Sequence, residues 1–99
     1  MSDILCFDIV GDSMFPTYKD GDSIYLKKIT KQDKIEVSDI VVFPHPFKKD
    51  CNVIKRVVKI KNKSKLFVEG DNADINSTDD SHNFGYIDID KLIAIKKSM

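Results

Sequence analysis

Short apolar runs recur along the chain with turn chemistry between them, and that cadence limits the fold more than any other feature. The runs are ILCFDIV at 4–10, SIYLKKI at 23–29, DIVVFP at 39–44, VIKRVVKI at 53–60, LFVE at 66–69 and YIDIDKLIAI at 86–95. They are rich in Ile, Val and Phe, they lack a sustained helical period, and no internal repeat joins them, so they read as strands. In the second run Ile24 and Leu26 alternate with Tyr25 and Lys27, the pattern of a strand with one wet face. The third run is apolar at nearly every position and predicts a central strand covered on both sides. Asp20-Gly21 and the KNKSK segment at 61–65 supply turns. Residues 30–38 are polar and read as a loop or a single helical turn. The last run reads as a strand followed by a second strand or one helical turn. The sum is one all-β domain over residues 1–99, a small barrel or sandwich. Its polar stretch at 70–85 is too long for a mere connector, and loops of that length in compact domains usually carry function.

Charge and cysteine usage narrow the function. Sixteen basic and sixteen acidic side chains cancel, which argues against a dedicated nucleic-acid binder with its basic excess. Arg56 is the only arginine, and arginine is not interchangeable with lysine at a hydrogen-bonded site. Cys6 and Cys51 are too few for a disulfide framework and are expected to be reduced. Met1-Ser2-Asp3 does not open a signal peptide, and no stretch approaches the eighteen or so apolar residues of a membrane span. These features predict a cytoplasmic chain with no span of its own.

Two places hold residues suited to chemistry. The first is GDSMFPT at 11–17, where Ser13 sits in a turn opened by Gly11 and closed by Pro16. Gly11 is expected to let the backbone approach whatever lies opposite Ser13, and Pro16 stiffens the turn. The second is Lys55. On a strand it shares a face with Val53 and Val57, and the loss of water there lowers its pKa. To be neutral near pH 7 it must fall about three units from ~10.4, which costs roughly 4–5 kcal/mol. A neutral lysine is a general base able to take a proton from a serine. The loop at 70–85 adds Ser77, Thr78, Ser81 and four aspartates. Its spacing does not suit a calcium loop, and His45, His82, Cys6 and Cys51 lack zinc spacing, so no metal or cofactor is expected. A Ser-His-Asp triad is the competing arrangement, weakened because both histidines fall in turn-rich segments expected to be exposed.

Taken in order, GDSMFPT at 11–17, GD at 21–22, DIVVF at 39–43, VIKRVV at 53–58, and GDN, STDDS and FG between 70 and 85 resemble the type I signal peptidase family of Ser/Lys proteases. The resemblance runs from Val10 to about Ile95. It implies an all-β core of the signal peptidase/LexA-like type with Ser13 as nucleophile and Lys55 as general base. Met14 would line the site behind Ser13, Ser77 or Thr78 would hold the lysine, and Asp80 and Ser81 would support that residue. HP at 45–46 and KLFVEGDN at 65–72 fit a short soluble branch proposed to mature nickel-containing superoxide dismutase, so the implied partner is a precursor protein. A signal peptidase working through a separate anchor and a non-catalytic or LexA-like regulatory domain are the alternatives. Three positions depart from the family pattern. Gly11 stands where some members have an oxyanion-binding serine, leaving that task to backbone N–H groups such as that of Ser13. Ser38 stands in place of a glycine, and His82 in place of an arginine whose loss would leave Asp80 unpaired.

Overall fold

Strand β3, Ile40–Pro44, is the wall between two apolar cores. In the computed structural model, which describes residues 3–74, 76 and 78–98, Val41 and Phe43 face one cluster with Val53, Val57, Leu66 and Val68. Ile40 and Val42 face a second with Met14, Ile24 and Leu26. A strand buried on both sides must be apolar at successive positions, which is why 39–44 breaks the alternation seen elsewhere.

The remaining strands are β1 (Ile4–Asp8), β2 (Ser23–Lys28), β4 (Asn52–Lys61), β5 (Lys65–Glu69), β6 (Ile87–Asp88) and β7 (Ala94–Lys96). They form one seven-stranded sheet in the order β1-β2-β7-β3-β4-β5-β6, antiparallel at every pairing. The sheet curls into a half-barrel, so the chain is all-β as its sequence predicts. Ile24 and Leu26 are buried while Tyr25 is exposed.

The final run resolves into both of its alternatives. Strand β6 is followed by a 3-10 turn over Ile89–Lys91 and then by β7. Strand β7 slots between β2 and β3, with Ile95 opposite Lys27 and Ala94 opposite Val42. The 70–85 stretch also differs from a plain loop, since it holds a one-turn helix, α1, at Ser81–Phe84. The signals were present: Asp80 caps the helix by accepting from His82 N–H, and Gly85 ends it at φ +82°, in line with the usual N-cap and C-terminal preferences.

The 30–38 stretch forms no regular element but drops Ile35 into the first core. At its end Ser38 has φ +83°, a region that costs an L-residue about 1 kcal/mol. Among the described residues its hydrogen bonds are made by its backbone, N–H to the Val57 carbonyl and C=O from Arg56 Nη1, and a glycine would keep them. Ser38→Gly is therefore expected to stabilise the fold by ~0.5 kcal/mol after glycine's own entropic cost. Thermal unfolding should show a Tm higher by about 2–4 °C, and an unchanged or lower Tm would contradict strain at this position.

Candidate active site

The turn carrying Ser13 is anchored from below. Met14 is 1% exposed and packs in the second core with Ile24, Leu26 and Val42. Gly11 takes φ +86°, and its N–H donates to Asp20 Oδ1 at 2.7 Å. Phe15 N–H closes on the Asp12 carbonyl and Tyr18 N–H on that of Met14. A Cβ on Gly11 would meet nothing within 4 Å. Its glycine is thus required by backbone angle, and the close approach expected there belongs to another residue. That residue is Gly70, where an added Cβ would lie 2.4 Å from the Ser13 carbonyl oxygen and 2.6 Å from Thr78 Cγ2.

Lys55 reaches this turn from the middle of β4. Val53, Lys55 and Val57 share the inner face as the period of two requires, and all three are buried. Lys55 pairs with Val41 across the sheet, so its stem lies among apolar side chains. Its Nζ is 3.1 Å from Ser13 Oγ, with the Ile54 carbonyl at 3.4 Å. Burial pushes the Lys55 pKa below the ordinary lysine value, while the charges of Asp80, Asp79 and Cys51 pull it back in part. Ser13 and Lys55 open on one cleft of about 330 Å³, walled also by Val10, His45, Cys51 and Asp79. An amine whose charged form is disfavoured by burial, at hydrogen-bonding distance from a hydroxyl, is placed to accept that hydroxyl's proton.

A second layer ties the turn to β5. Arg56 Nε and Nη2 each lie 2.8 Å from a carboxylate oxygen of Asp71, and Asp71 also accepts from Thr17 Oγ1 at 2.6 Å. Burial opposes the Asp71 charge, but the hydrogen bonds from Arg56 and Thr17 prevail and hold its pKa below the usual carboxylate value. Asn72 N–H donates to the Ser13 carbonyl at 3.0 Å, and its side-chain amide donates to the Asp12 carbonyl at 2.8 Å. The whole GDN segment therefore grips the serine turn. Sequence reasoning singled out the lone arginine and the GDN block but did not join Asp71 to Arg56 or Asn72 to the serine turn. Among the described residues no group of three His, Cys, Asp or Glu could hold a metal ion.

A family model described as "Signal peptidase, peptidase S26" matches residues 2–62. The chain belongs to this family. It is a peptidase of the signal peptidase type, and its substrate is a protein. The matched segment contains both Ser13 and Lys55 and stops before Gly70. A comparison with curated proteins gives no match. Among the described residues no helix is long and apolar enough to cross a membrane.

The residues expected to support the lysine lie beyond the segment matched to the S26 peptidases. Ser77 lies outside the described residues. Thr78 turns its hydroxyl to Asp80 Oδ2 at 2.9 Å, and the hydrogen bonds of Lys55 Nζ among the described residues go to Ser13 and Ile54. Asp80 is buried and well satisfied without an arginine: it accepts from Thr78, from Gly70 N–H at 3.3 Å and from His82 N–H at 3.0 Å. His82 instead pairs with Glu69 at 2.7 Å. Ser81 is buried and its Oγ accepts from Val68 N–H at 2.9 Å, fastening α1 to β5.

One of the two histidines departs from expectation. His82 is exposed, but the His45 side chain is only 6% exposed. Its Nε2 lies 2.7 Å from Asp79 Oδ2, and its Nδ1 accepts the N–H groups of Phe47 and Lys48 at 3.0 and 3.1 Å. Both ring nitrogens are occupied, so His45 has none to offer Ser13 and the Ser-His-Asp arrangement falls.

Proposed function

We propose that this S26 peptidase is a serine endopeptidase in which Ser13 is the nucleophile and Lys55 the general base. The observation that carries the proposal is the 3.1 Å contact between Ser13 Oγ and the buried Lys55 Nζ. Ser13 Oγ attacks the scissile carbonyl carbon as its proton passes to Lys55. The oxygen that becomes negative is met by backbone donors. The Ser13 N–H suits that task because it has no acceptor among the described residues, whereas the Gly11 N–H is committed to Asp20. Lys55 then hands its proton to the leaving amine, which frees the C-terminal fragment. It next takes a proton from water, whose hydroxide attacks the acyl carbon, and it returns that proton to Ser13 Oγ as the C–O bond to the serine breaks and the acid fragment leaves.

The substrate we favour is the precursor of a nickel-containing superoxide dismutase, cut to remove an N-terminal segment in the cytoplasm. HP at 45–46 and KLFVEGDN at 65–72 support this branch. The second reading, processing of an exported preprotein through a separate anchor, draws on the family itself. Incubating the protein with each precursor and reading the new N-terminus by mass spectrometry separates the two. Release of the segment from the dismutase precursor alone is the expected result. Cleavage of the exported preprotein alone would reverse the assignment, and cleavage of neither by protein that a serine-reactive probe fails to label would remove the enzyme reading.

A further inference from the structure

One wall of the cleft is built by two loops that meet at the Asp79 carboxylate. The segment between β3 and β4 contributes His45, and the segment between β5 and α1 contributes Asp79. Their hydrogen bond is the 2.7 Å contact between Nε2 and Oδ2. Because Nδ1 accepts two backbone N–H groups, the ring proton must sit on Nε2 and point at the carboxylate. Phe84 packs edge-on against the ring at 5.2 Å, so the imidazole cannot turn away freely. Asn83 Nδ2 takes the other oxygen of Asp79 at 2.9 Å, and Lys48 Nζ stands 3.4 Å from Oδ2. The carboxylate is fixed from three sides, and it borders the same cleft as Ser13 and Lys55.

We infer that His45 is a positioning residue, which holds the Asp79 carboxylate at the cleft wall so that its negative charge acts on the Lys55 amine. This deepens the Ser/Lys reading and rests on it for its catalytic meaning. The placement has a chemical consequence. Lys55 sits among groups of both signs: Asp79 and Asp80 from the β5–α1 segment, Lys48 beside Asp79, and Asp8 and Asp12 on the lining of the same cleft, with the Cys51 thiol just before β4. Asp80 is buried beneath the site, while Asp79 is 40% exposed and stays in place only through its partners. Burial alone would drive Lys55 towards neutrality and weaken it as a proton acceptor. A fixed carboxylate restores part of its basicity.

The test reads Lys55 directly as well as through catalysis. Competitive acylation of the ε-amine across a pH series, with Lys55 followed by peptide mass spectrometry, gives its titration whether or not the protein cleaves anything. Asp79→Asn keeps an acceptor for His45 and removes the charge. Its Lys55 titration is expected to move to lower pH by roughly 0.5–1 unit, and the alkaline-rising limb of kcat/KM should move with it while KM stays near the parent value. His45→Ala should shift the titration in the same direction, and His45→Gln, which still presents a donor to Asp79, should restore most of it. A Lys55 titration unmoved in Asp79→Asn overturns the inference, as does a His45→Ala titration identical to the parent. Should His45→Ala not fold, the Asp79→Asn and His45→Gln measurements decide. A shifted titration in a protein that cleaves no substrate would keep the electrostatic assignment and count against the Ser/Lys reading alone.

Discussion

Lys55→Met protein is expected to cleave nothing measurable and to melt at a higher temperature than the parent. The first half follows from the proposed chemistry. Without a base, Ser13 must lose its proton to water, and removing one member of a nucleophile–base pair costs on the order of 10³-fold or more in kcat. Ser13→Ala should lose as much, with little change in stability because only a hydroxyl at the cleft is removed. The second half follows from burial. In the folded chain the Lys55 pKa lies below its ordinary value, chiefly through loss of water. Between that lowered value and the unfolded value of about 10.4, the unfolded chain holds more protons, so stability rises with pH across that window. Below it the folded protein bears the full penalty of a buried ammonium. Methionine fills similar volume and carries no such penalty, so its gain should be largest below the lowered pKa and vanish above the unfolded one. Activity of the parent should climb as Lys55 loses its proton, giving an alkaline-rising limb absent from both variants. Parent-like activity in either variant would sink the dyad.

The pair at the centre of this reading was visible in the sequence because each half depends on local chemistry. Ser13 sits in a turn that Gly11 and Pro16 announce, and Lys55 stands between Val53 and Val57 on one face of a strand. A period of two and a few turn residues marked both positions, the family resemblance joined them as a pair, and the apolar β3 betrayed its central position by its pattern alone. What escaped the sequence depends on partners far along the chain. Strand β7 is three residues long, and nothing in Ala94-Ile95-Lys96 says that it lies between β2 and β3. Arg56 was conspicuous, but its partner Asp71 was one of several acids in a polar stretch, and only the curl of the sheet brings it beneath Thr17. His45 was misjudged for a similar reason. Its neighbours Pro44 and Pro46 mark a turn, and turns are usually exposed, yet Phe84 and Asp79 arrive from the other loop to cover it. The support of Asp80 shows the same limit from the other side. A missing arginine at His82 looked like a lost partner, whereas backbone N–H groups and Thr78 supply what it needs.

Gly70→Ala is expected to disable the protein although Gly70 touches no reacting atom. A methyl group there would sit 2.4 Å from the Ser13 carbonyl oxygen and 2.6 Å from Thr78. The first contact is with backbone, so no side-chain rotation relieves it. The β5 end and the serine turn must separate, and that movement strains the Asn72 bond to the same carbonyl and the Gly70 N–H bond to Asp80. Overpacking of this kind costs about 1–3 kcal/mol, and the loosened hydrogen bonds should bring the loss to the upper end. For a domain of this size a 2–3 kcal/mol loss is a fall in Tm of roughly 10–20 °C. Activity should suffer separately, because a displacement near 1 Å between nucleophile and base is enough for a loss of about 100-fold. Gly11→Ala is the matching control. It meets open space and is strained only by its φ of +86°, so it should lose about 1 kcal/mol and keep most of its activity once folded. Measuring Tm and kcat/KM for both separates backbone strain from displacement of Ser13. If Gly70→Ala retained parent-like kcat/KM, the GDN segment would not be what fixes the serine, and the 3.1 Å contact with Lys55 would have to be held by the Met14 anchor alone.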